Sequence, residues 1–210
     1  MKSQDFGVLL KLICLKSRRD GVYSHYNEDW EDWNLDELDE IVDPEADYFS
    51  IDQVVDTEYS ARSLEKSLGI SKTQVNISFK RCESLGLIRR ERSTGHPIVN
   101  TKVLFNIIEH AIRYIFPITS GQLTRGIATS FGAPVLSSSL MTGGELIPVW
   151  SDSKGSTKGF MVEPLFKGVT IAVRKDPQMY AMLALIDAIR LGQPRERKLA
   201  LEKLKVLFNI

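Results

Sequence analysis

Apolar side chains recur at intervals of three and four residues along much of this chain, a spacing that predicts amphipathic helices. One such stretch covers residues 3–18, and another covers 101–115 until Pro117 ends it, because proline cannot continue a helix. Two more helices are predicted at the end of the sequence, over residues 177–192 and 194–208. In the first helix the inward face consists of Phe6, Leu9, Leu10, Ile13 and Cys14.

The stretch 177–191 is apolar nearly all round, with Asp187 and Arg190 as its few charged residues. A helix of this kind must be buried. It can form the centre of a core in the second half of the chain, or it can be part of a dimer interface.

Residues 117–175 have a different pattern, with frequent glycine and proline. Residues 145–164 predict two strands joined by a polar glycine turn, whereas residues 119–134 are predicted to be a loop. The expected fold class is therefore α+β and mainly helical. We expect one domain over residues 1–116 and a C-terminal α+β region over 117–210, with a small β unit and two terminal helices.

Residues 60–88 predict two helices joined by a tight turn. Ser60 can cap a first helix over residues 61–68. Gly69 lacks a Cβ and therefore permits positive φ in the turn. Ser71 and Gln74 have the spacing of a capping box, which marks the start of the second helix. Its buried stripe is predicted to be Val75, Phe79 and Cys82.

The polar residues of the second helix are suited to contacting the edges of DNA bases. Asn and Gln can pair with adenine through two hydrogen bonds, while Lys and Thr can contact bases or phosphates. The candidate base-contacting residues are Lys72, Thr73, Gln74 and Asn76.

A basic hairpin is predicted directly after this helix, over residues 87–100, with a turn at residues 93–95. Residues 60–102 contain nine Lys or Arg and three acidic residues, a balance that favours contact with phosphates. The candidate backbone-contacting residues are Lys80, Arg89, Arg90, Arg92 and His96.

The stretch "SLEKSLGISKTQVNISFKRCESLGLIRR" resembles the winged helix-turn-helix domain of bacterial MarR-like transcription regulators. The shared pattern is a leucine, Leu-Gly-Ile-Ser, a helix, and then Leu-Gly-Leu-Ile, and it covers roughly the first half of the chain. Glu65 departs from it, since those proteins usually carry a small alanine there, so that helix crossing is looser or the glutamate turns outward. A long acidic segment also interrupts the usual short link between the first two helices.

The second half, including "LTRGIATSFGAP", faintly resembles uncharacterised bacterial winged-helix proteins and does not resemble the MarR dimerisation arms. The resemblance in the first half implies a sequence-specific regulator that binds double-stranded DNA, and we expect a repressor that acts by promoter occupancy. Such regulators are usually homodimers, because two copies reach two half-sites. The alternative is a protein-interaction adaptor or an antitoxin-like partner.

The formal net charge of zero conceals a strong segregation of charge along the sequence. From Asp20 to Ala61 there are fifteen Asp or Glu and no Lys or Arg, so the rest of the chain carries about +15. Trp30, Trp33, Leu38 and Ile41 could line one side of a short helix within this acidic segment. The segment can be a surface insertion packed on the domain, an intramolecular competitor for the basic hairpin, or a docking site.

Other sequence features do not indicate an enzyme, a cofactor or a membrane protein. The 119–134 stretch lacks the spacing of either glycine-rich nucleotide motif, so an enzyme that uses Arg125 ranks behind the other readings. The three histidines, His25, His96 and His110, are scattered without metal-ligand spacing. Cys14 and Cys82 are expected to be buried free thiols, and a cytoplasmic location is expected.

The competitor hypothesis for the acidic segment makes a direct prediction. Deleting residues 24–56 is expected to tighten DNA binding and to steepen its dependence on salt, because the basic hairpin would no longer be screened by nearby carboxylates. Duplex titrations at several salt concentrations measure both effects. An unchanged affinity in a folded deletion variant would rule out the competitor hypothesis.

Overall fold

The computed structural model describes residues 1–22, 30, 57–137, 139 and 146–210. Most of the acidic segment lies outside these residues, and so does its expected helix, except for Trp30. That tryptophan is partly buried against the core. The fold class is α+β, as expected.

Nine helices are present in the described ranges: α1 (Ser3–Arg19), α2 (Ala61–Leu68), α3 (Lys72–Ser84), α4 (Thr101–His110), α5 (Ile112–Ile115), α6 (Pro134–Ser137), α7 (Val169–Lys175), α8 (Pro177–Leu191) and α9 (Pro194–Phe208). A 3₁₀ turn covers Ser130–Gly132. The strands are β1 (Ile88–Arg90), β2 (Pro97–Val99), β3 (Ser120–Ala128), β4 (Pro148–Ser151) and β5 (Thr157–Val162). No described helix is long and apolar enough to cross a membrane.

Helix α8 lies at the centre of the molecule, as its apolar sequence predicts. Residues 178–190 are all buried within the chain itself. The same hydrophobic core includes α1, α3, α4 and the β3–β5 sheet, so both predicted regions, 1–116 and 117–210, contribute to one core. A dimer interface is therefore not needed to explain the burial of α8.

Helix α1 is also buried on every side. All residues from Asp5 to Leu15 are buried, although the sequence pattern predicts a single inward face. The buried Lys11 has a partner for its charge, because its Nζ lies 2.8 Å from Oδ2 of Asp176. Asp176 Oδ1 also accepts hydrogen bonds from the backbone N–H groups of Gln178 and Met179 at the start of α8. One buried carboxylate thus connects α1 to α8.

A second buried carboxylate connects α8 to the strands. Asp187 accepts hydrogen bonds from Arg190 at 2.6 Å, from the Trp150 indole at 2.7 Å and from Thr129 at 3.1 Å. Burial nevertheless outweighs these contacts and raises the pKa of Asp187. The hydrogen bonds place β3 and β4 against the middle of α8.

Two expectations for residues 101–134 need correction, and one helix of the second half was not expected. The expected helix over residues 101–115 is broken at Ala111, whose φ of −121° departs from helical geometry and separates α4 from α5. The expected loop at 119–134 contains the nine-residue strand β3. Helix α7 was not expected at all.

The strands β4 and β5 do exist, but they do not pair as a simple hairpin. Both are antiparallel to β3 and parallel to each other, so the three strands close into one small barrel. Close approach of the strands requires glycine, because a Cβ on Gly126 would lie 1.9 Å from the carbonyl oxygen of Trp150. Glycine interrupts the alternation of apolar and polar residues that identifies a strand in sequence, which explains why β3 was missed.

Helix α7 packs directly on the turn between α2 and α3. A Cβ on Gly168 would lie 1.9 Å from the carbonyl oxygen of Leu68, so the contact is backbone against backbone. Lys175 Nζ also donates to the carbonyl oxygen of Lys66 at 2.8 Å, which satisfies a free acceptor at the end of α2. The C-terminal region therefore packs against the turn between α2 and α3 and stabilises it.

Both cysteines are buried free thiols, as expected. Burial raises the pKa of Cys82 to about 12 and raises that of Cys14 well above its ordinary value. Both sulfurs are therefore protonated at neutral pH and act as small apolar groups.

The Lys11–Asp176 pair yields a stability prediction. Replacing Lys11 with Met is expected to lower the free energy of unfolding by about 3 kcal/mol, because Asp176 loses its closest cation while remaining buried. Denaturant unfolding measures the change. Lys16→Met on the same helix is the matched control, since its pair with Asp20 is partly exposed and contributes less than about 0.5 kcal/mol. Equal losses in the two variants would contradict the prediction.

Candidate nucleic-acid interface

The turn between α2 and α3 has the geometry that its sequence predicts. The Ser60 side chain accepts a hydrogen bond from the backbone N–H of Ser63 and caps α2. Gly69 ends α2 with φ at 63°, in the left-handed region. Ile70 is buried and fixes the turn on the core.

The start of α3 differs from the expectation. The side chain of Ser71 makes no capping hydrogen bond, so the predicted capping box with Gln74 is wrong. Instead, Oε1 of Glu65 accepts from the backbone N–H of Lys72 at 3.0 Å. A carboxylate at this place satisfies a free helical donor and interacts favourably with the helix dipole. Glu65, the residue that departs from the MarR-like pattern, thus caps the start of α3.

The buried face of α3 consists of Val75, Ser78 and Cys82. Phe79, expected in this stripe, is only half-buried, and Ser78 takes the inward place three residues after Val75. The Ser78 hydroxyl accepts a hydrogen bond from the side-chain amide of Gln4 in α1 at 3.5 Å. Ile77 lies off this buried face, and 41% of it is exposed.

An ion pair between the buried Asp5 and the half-buried Arg81 fixes α3 to the start of α1. Nε and Nη2 of Arg81 donate to the two carboxylate oxygens of Asp5 at 2.8 and 2.7 Å. Burial by itself raises the pKa of Asp5, but the hydrogen bonds from Arg81 and the Lys2 amide outweigh it and hold the pKa below its ordinary value. The two-point contact restricts the rotation of α3 about its axis.

Three of the four candidate base-contacting residues share the exposed side of α3. Lys72, Thr73 and Asn76 are exposed, and so is the backbone candidate Lys80. Gln74 is half-buried and faces α1, where its amide oxygen accepts from Gln4 at 2.8 Å. The thirteen residues of α3 span about 20 Å, longer than the roughly 12 Å width of the DNA major groove.

The hairpin β1–β2 is held in place by the last turn of α1. Arg19 Nη1 lies 3.0 Å from Nδ1 of His96 and 3.0 Å from a carboxylate oxygen of Glu91. The imidazole ring also stacks on Tyr59, with 4.6 Å between ring centroids. His96, predicted as a backbone contact, is therefore half-buried and anchors the hairpin internally.

Two of the candidate arginines lie on opposite faces of the hairpin. Arg90 lines an open cleft of about 670 Å³ between the hairpin and α3, which we call the front cleft. Arg89, its neighbour along the strand, lines a separate cleft against α1 and α9, which we call the rear cleft. Arg92 is exposed in the turn at the hairpin tip, where Gly95 has φ at 74°.

The front cleft combines hydrogen-bonding, cationic and aromatic groups. Its walls include Asn76, Phe79, Lys80, Glu83, Arg90 and Thr94. Arg90 pairs with Glu83 at 3.3 Å, and both side chains are substantially exposed. Exposed pairs of this kind contribute less than about 1 kcal/mol, so Arg90 can exchange the glutamate for a phosphate at little cost. The cleft can therefore bind a polyanion and hydrogen-bond to its polar edges.

Sequence reasoning missed three residues that shape this site: Tyr59, Glu65 and Arg19. Tyr59 immediately precedes the Ser60 cap, a place often taken by an apolar residue that packs on the helix. The sequence showed Glu65 as a departure from the small residue of the MarR-like pattern, but it did not indicate that Glu65 caps α3. Nothing in the local sequence around Arg19 indicates that it meets a hairpin more than seventy positions later.

Among the described residues, no group of three His, Cys, Asp or Glu side chains could hold a metal ion. Comparison of the chain with protein families, with curated proteins and with solved structures finds no match.

The Asp5–Arg81 pair predicts a dependence of stability on pH. Because the pKa of Asp5 is lowered in the folded state, its contribution to stability is present above the ordinary carboxyl pKa of about 3.9 and is lost as pH falls through the folded value. Arg81→Met leaves the carboxylate buried without its cation. The loss in unfolding free energy is therefore expected to reach about 3 kcal/mol at neutral pH and to shrink at low pH.

Urea unfolding at several pH values between 3 and 7 tests this expectation. Arg90→Met, which breaks only the exposed pair with Glu83, is the matched control and is expected to have little effect at any pH. A loss in Arg81→Met that is constant across the pH range would contradict a role for the Asp5 charge.

Proposed function

We propose that α2, α3 and the β1–β2 hairpin form a winged helix-turn-helix, and that the protein is a sequence-specific regulator that binds double-stranded DNA. One observation carries this proposal. The exposed face of α3, with Asn76 and Lys80, shares a single cleft with Arg90 of the hairpin. The candidate base-contacting and phosphate-contacting groups thus lie together on one side of the molecule, which supports this proposal.

In this proposal α3 enters the major groove, with its first turns against the base edges. Asn76 can bind adenine through its amide, and Lys72 and Thr73 can contact bases or the adjacent backbone. Gln74 can join them only if it leaves its hydrogen bond with Gln4. The exposed Ile77 can pack on the methyl group of a thymine.

The hairpin then contacts the DNA backbone. Lys80, Arg90 and Arg92 can bind phosphates, which adds affinity but little sequence information. Arg89 faces the other side of the hairpin and contributes to a longer-range positive potential. Glu65 and Glu83 limit the attraction for phosphate at the two ends of α3, which favours recognition by base contacts over binding of any polyanion.

We further propose that the protein is a cytoplasmic, non-enzymatic repressor that acts by promoter occupancy as a homodimer. Two copies would present two α3 helices to half-sites about one DNA turn apart. Since α8 is buried in its own chain, the dimer would have to use other surfaces.

The second candidate function is a protein-binding adaptor or antitoxin-like partner. Exposed apolar residues on and next to α3 favour it, since Ile77 is 41% exposed and Leu85 is 53% exposed. A purified protein that retards no duplex at low salt, but recovers one partner protein in stoichiometric amount, would favour this function over DNA binding.

Two substitutions separate base recognition from backbone binding. Asn76→Ala is expected to cost about 1–3 kcal/mol of affinity on the preferred duplex and almost nothing on unrelated duplexes. Arg90→Gln is expected to weaken binding to all duplexes and to reduce the salt slope by about one, because one phosphate contact is lost. The preferred duplex comes from selection among random duplexes with the purified protein.

Arg89→Gln is the matched control for Arg90→Gln, because it removes the same charge from the other face of the same strand. Its effect on affinity is expected to be smaller at every salt concentration. Equal losses for Arg89→Gln and Arg90→Gln would contradict an interface centred on the front cleft. The absence of any preferred duplex would contradict sequence-specific recognition.

A further inference from the structure

Helix α7 brings basic residues of the C-terminal region to the turn between α2 and α3. Gly168, just before α7, meets the backbone of Leu68, and a Cβ on Gly69 would lie 2.7 Å from the terminal methyl of Ile171 in α7. Two lysines on each side of this contact, distant in sequence, therefore lie around one turn. They are Lys66, Lys72, Lys167 and Lys175, which we call the turn cluster.

The charges of the turn cluster are not neutralised within the described part of the chain. All four lysines are exposed, and none forms an ion pair in the described ranges. Lys175 donates to the carbonyl oxygen of Lys66, which leaves two of its three N–H donors available. Glu65 offsets one charge in part, although its carboxylate also accepts from the backbone of Lys72. Unmatched cations gathered at one place attract a polyanion.

Helix α7 is held in a fixed position, so the cluster is not carried by a loose segment. At the end of the helix, Arg174 pairs with Asp152 in the turn between β4 and β5, and both side chains are mostly buried. At its beginning, Gly168 packs on the turn between α2 and α3. The charge of Arg174 is thus used inside the protein, whereas Lys167 and Lys175 at the two ends of α7 remain exposed.

The turn cluster and the hairpin lie at opposite ends of α2. The front cleft is lined by Ser60 and Ala61 at the start of α2, whereas the cluster surrounds Leu68 and Gly69 at its end. The eight residues of α2 span about 12 Å, close to the roughly 12 Å width of the DNA major groove. Basic groups at the two ends of α2 therefore have the separation of the two DNA backbones that border this groove.

The same order holds along α3. The front cleft is lined by Asn76, Phe79, Lys80 and Glu83, which belong to the middle and second half of the helix. Lys72 of the turn cluster is its first residue. With α3 in the major groove, the hairpin is near one backbone and the turn cluster is near the other.

We propose that the turn cluster is a second phosphate-contacting surface, through which the C-terminal region takes part in binding double-stranded DNA. It contacts the backbone on the border of the major groove opposite to the one that Lys80, Arg90 and Arg92 contact. Contacts on both borders fix the orientation of α3 in the groove but add little sequence information. This inference rests on the proposed DNA-binding function and extends it to residues outside the helix-turn-helix and the hairpin.

Lys66→Gln and Lys167→Gln test the proposal with one residue from each half of the chain. Each variant is expected to bind about five- to tenfold more weakly at 0.1 M salt and to reduce the salt slope by about one, because one phosphate contact is lost. The loss is expected to be equal on the preferred duplex and on a duplex of unrelated sequence. Both side chains are exposed, so unchanged denaturant unfolding is expected.

Ethylation of single phosphates in the preferred duplex locates the contacts. A phosphate whose ethylation weakens the unchanged protein, but not Lys167→Gln, marks the place where Lys167 binds. The same comparison with Arg90→Gln marks the contact of the hairpin. The two sets of phosphates are expected on opposite strands, because the two strands form the two borders of the major groove.

Lys198→Gln is the charge-matched control, since Lys198 is exposed on α9 of the same C-terminal region. An equal loss of affinity in this control would overturn the proposal, because it would show an effect of net charge alone. Sets of phosphates that coincide for Lys167→Gln and Arg90→Gln would overturn it as well.

Two further outcomes separate this inference from the proposed function. If the unchanged protein retards no duplex at low salt, DNA binding and the role of the turn cluster are both overturned. If the unchanged protein binds a preferred duplex, and Lys66→Gln and Lys167→Gln bind it equally well, only the role of the turn cluster is overturned.

Discussion

The buried carboxylate of Asp176 is the contact on which the arrangement of the molecule depends. It is fully buried, so its charge must be matched inside the protein. One oxygen accepts the first backbone N–H groups of α8, and the other accepts Lys11 of α1. The same group therefore starts the central helix and fixes the position of α1 against it. A slip of either helix by one residue would leave a charge buried and unpaired.

Helix α1 also fixes the two parts of the candidate interface, one at each of its ends. Near its start, Asp5 holds Arg81 of α3, and at its end, Arg19 holds Glu91 and His96 of the hairpin. Helix α3 and the hairpin are therefore both fixed to the same buried helix, α1. The front cleft owes its shape to this shared support and not to direct contacts between α3 and the hairpin alone. Helix α7 completes the support by closing on the turn at Gly168.

The ion pair that lines the front cleft, Arg90–Glu83, can exchange its partner at little cost in energy. The Arg90–Glu83 pair is exposed and weak, whereas the pairs that hold the scaffold, such as Lys11–Asp176, are buried and strong. The hairpin strand places Arg89 and Arg90 on opposite faces because side chains alternate along a strand. One strand therefore supplies a cation to each of two separate clefts, which lie back to back.

The sequence by itself determined features that depend on local chemistry. The Ser60 cap, the left-handed Gly69, the turn at the hairpin tip and the burial of α8 all follow from residues within a few positions of one another. Tertiary structure alone decided the rest. Strand β3 was hidden because Gly126 serves a contact with Trp150, which is distant in sequence. Ser78 takes the buried place on α3 that was expected for Phe79, and its hydroxyl contacts Gln4 of α1 there. Likewise, Gln74 faces Gln4 and His96 meets Arg19 through contacts that join positions some seventy residues apart. Local patterns record which side chains prefer burial, but only packing decides which partner each buried or polar group finds.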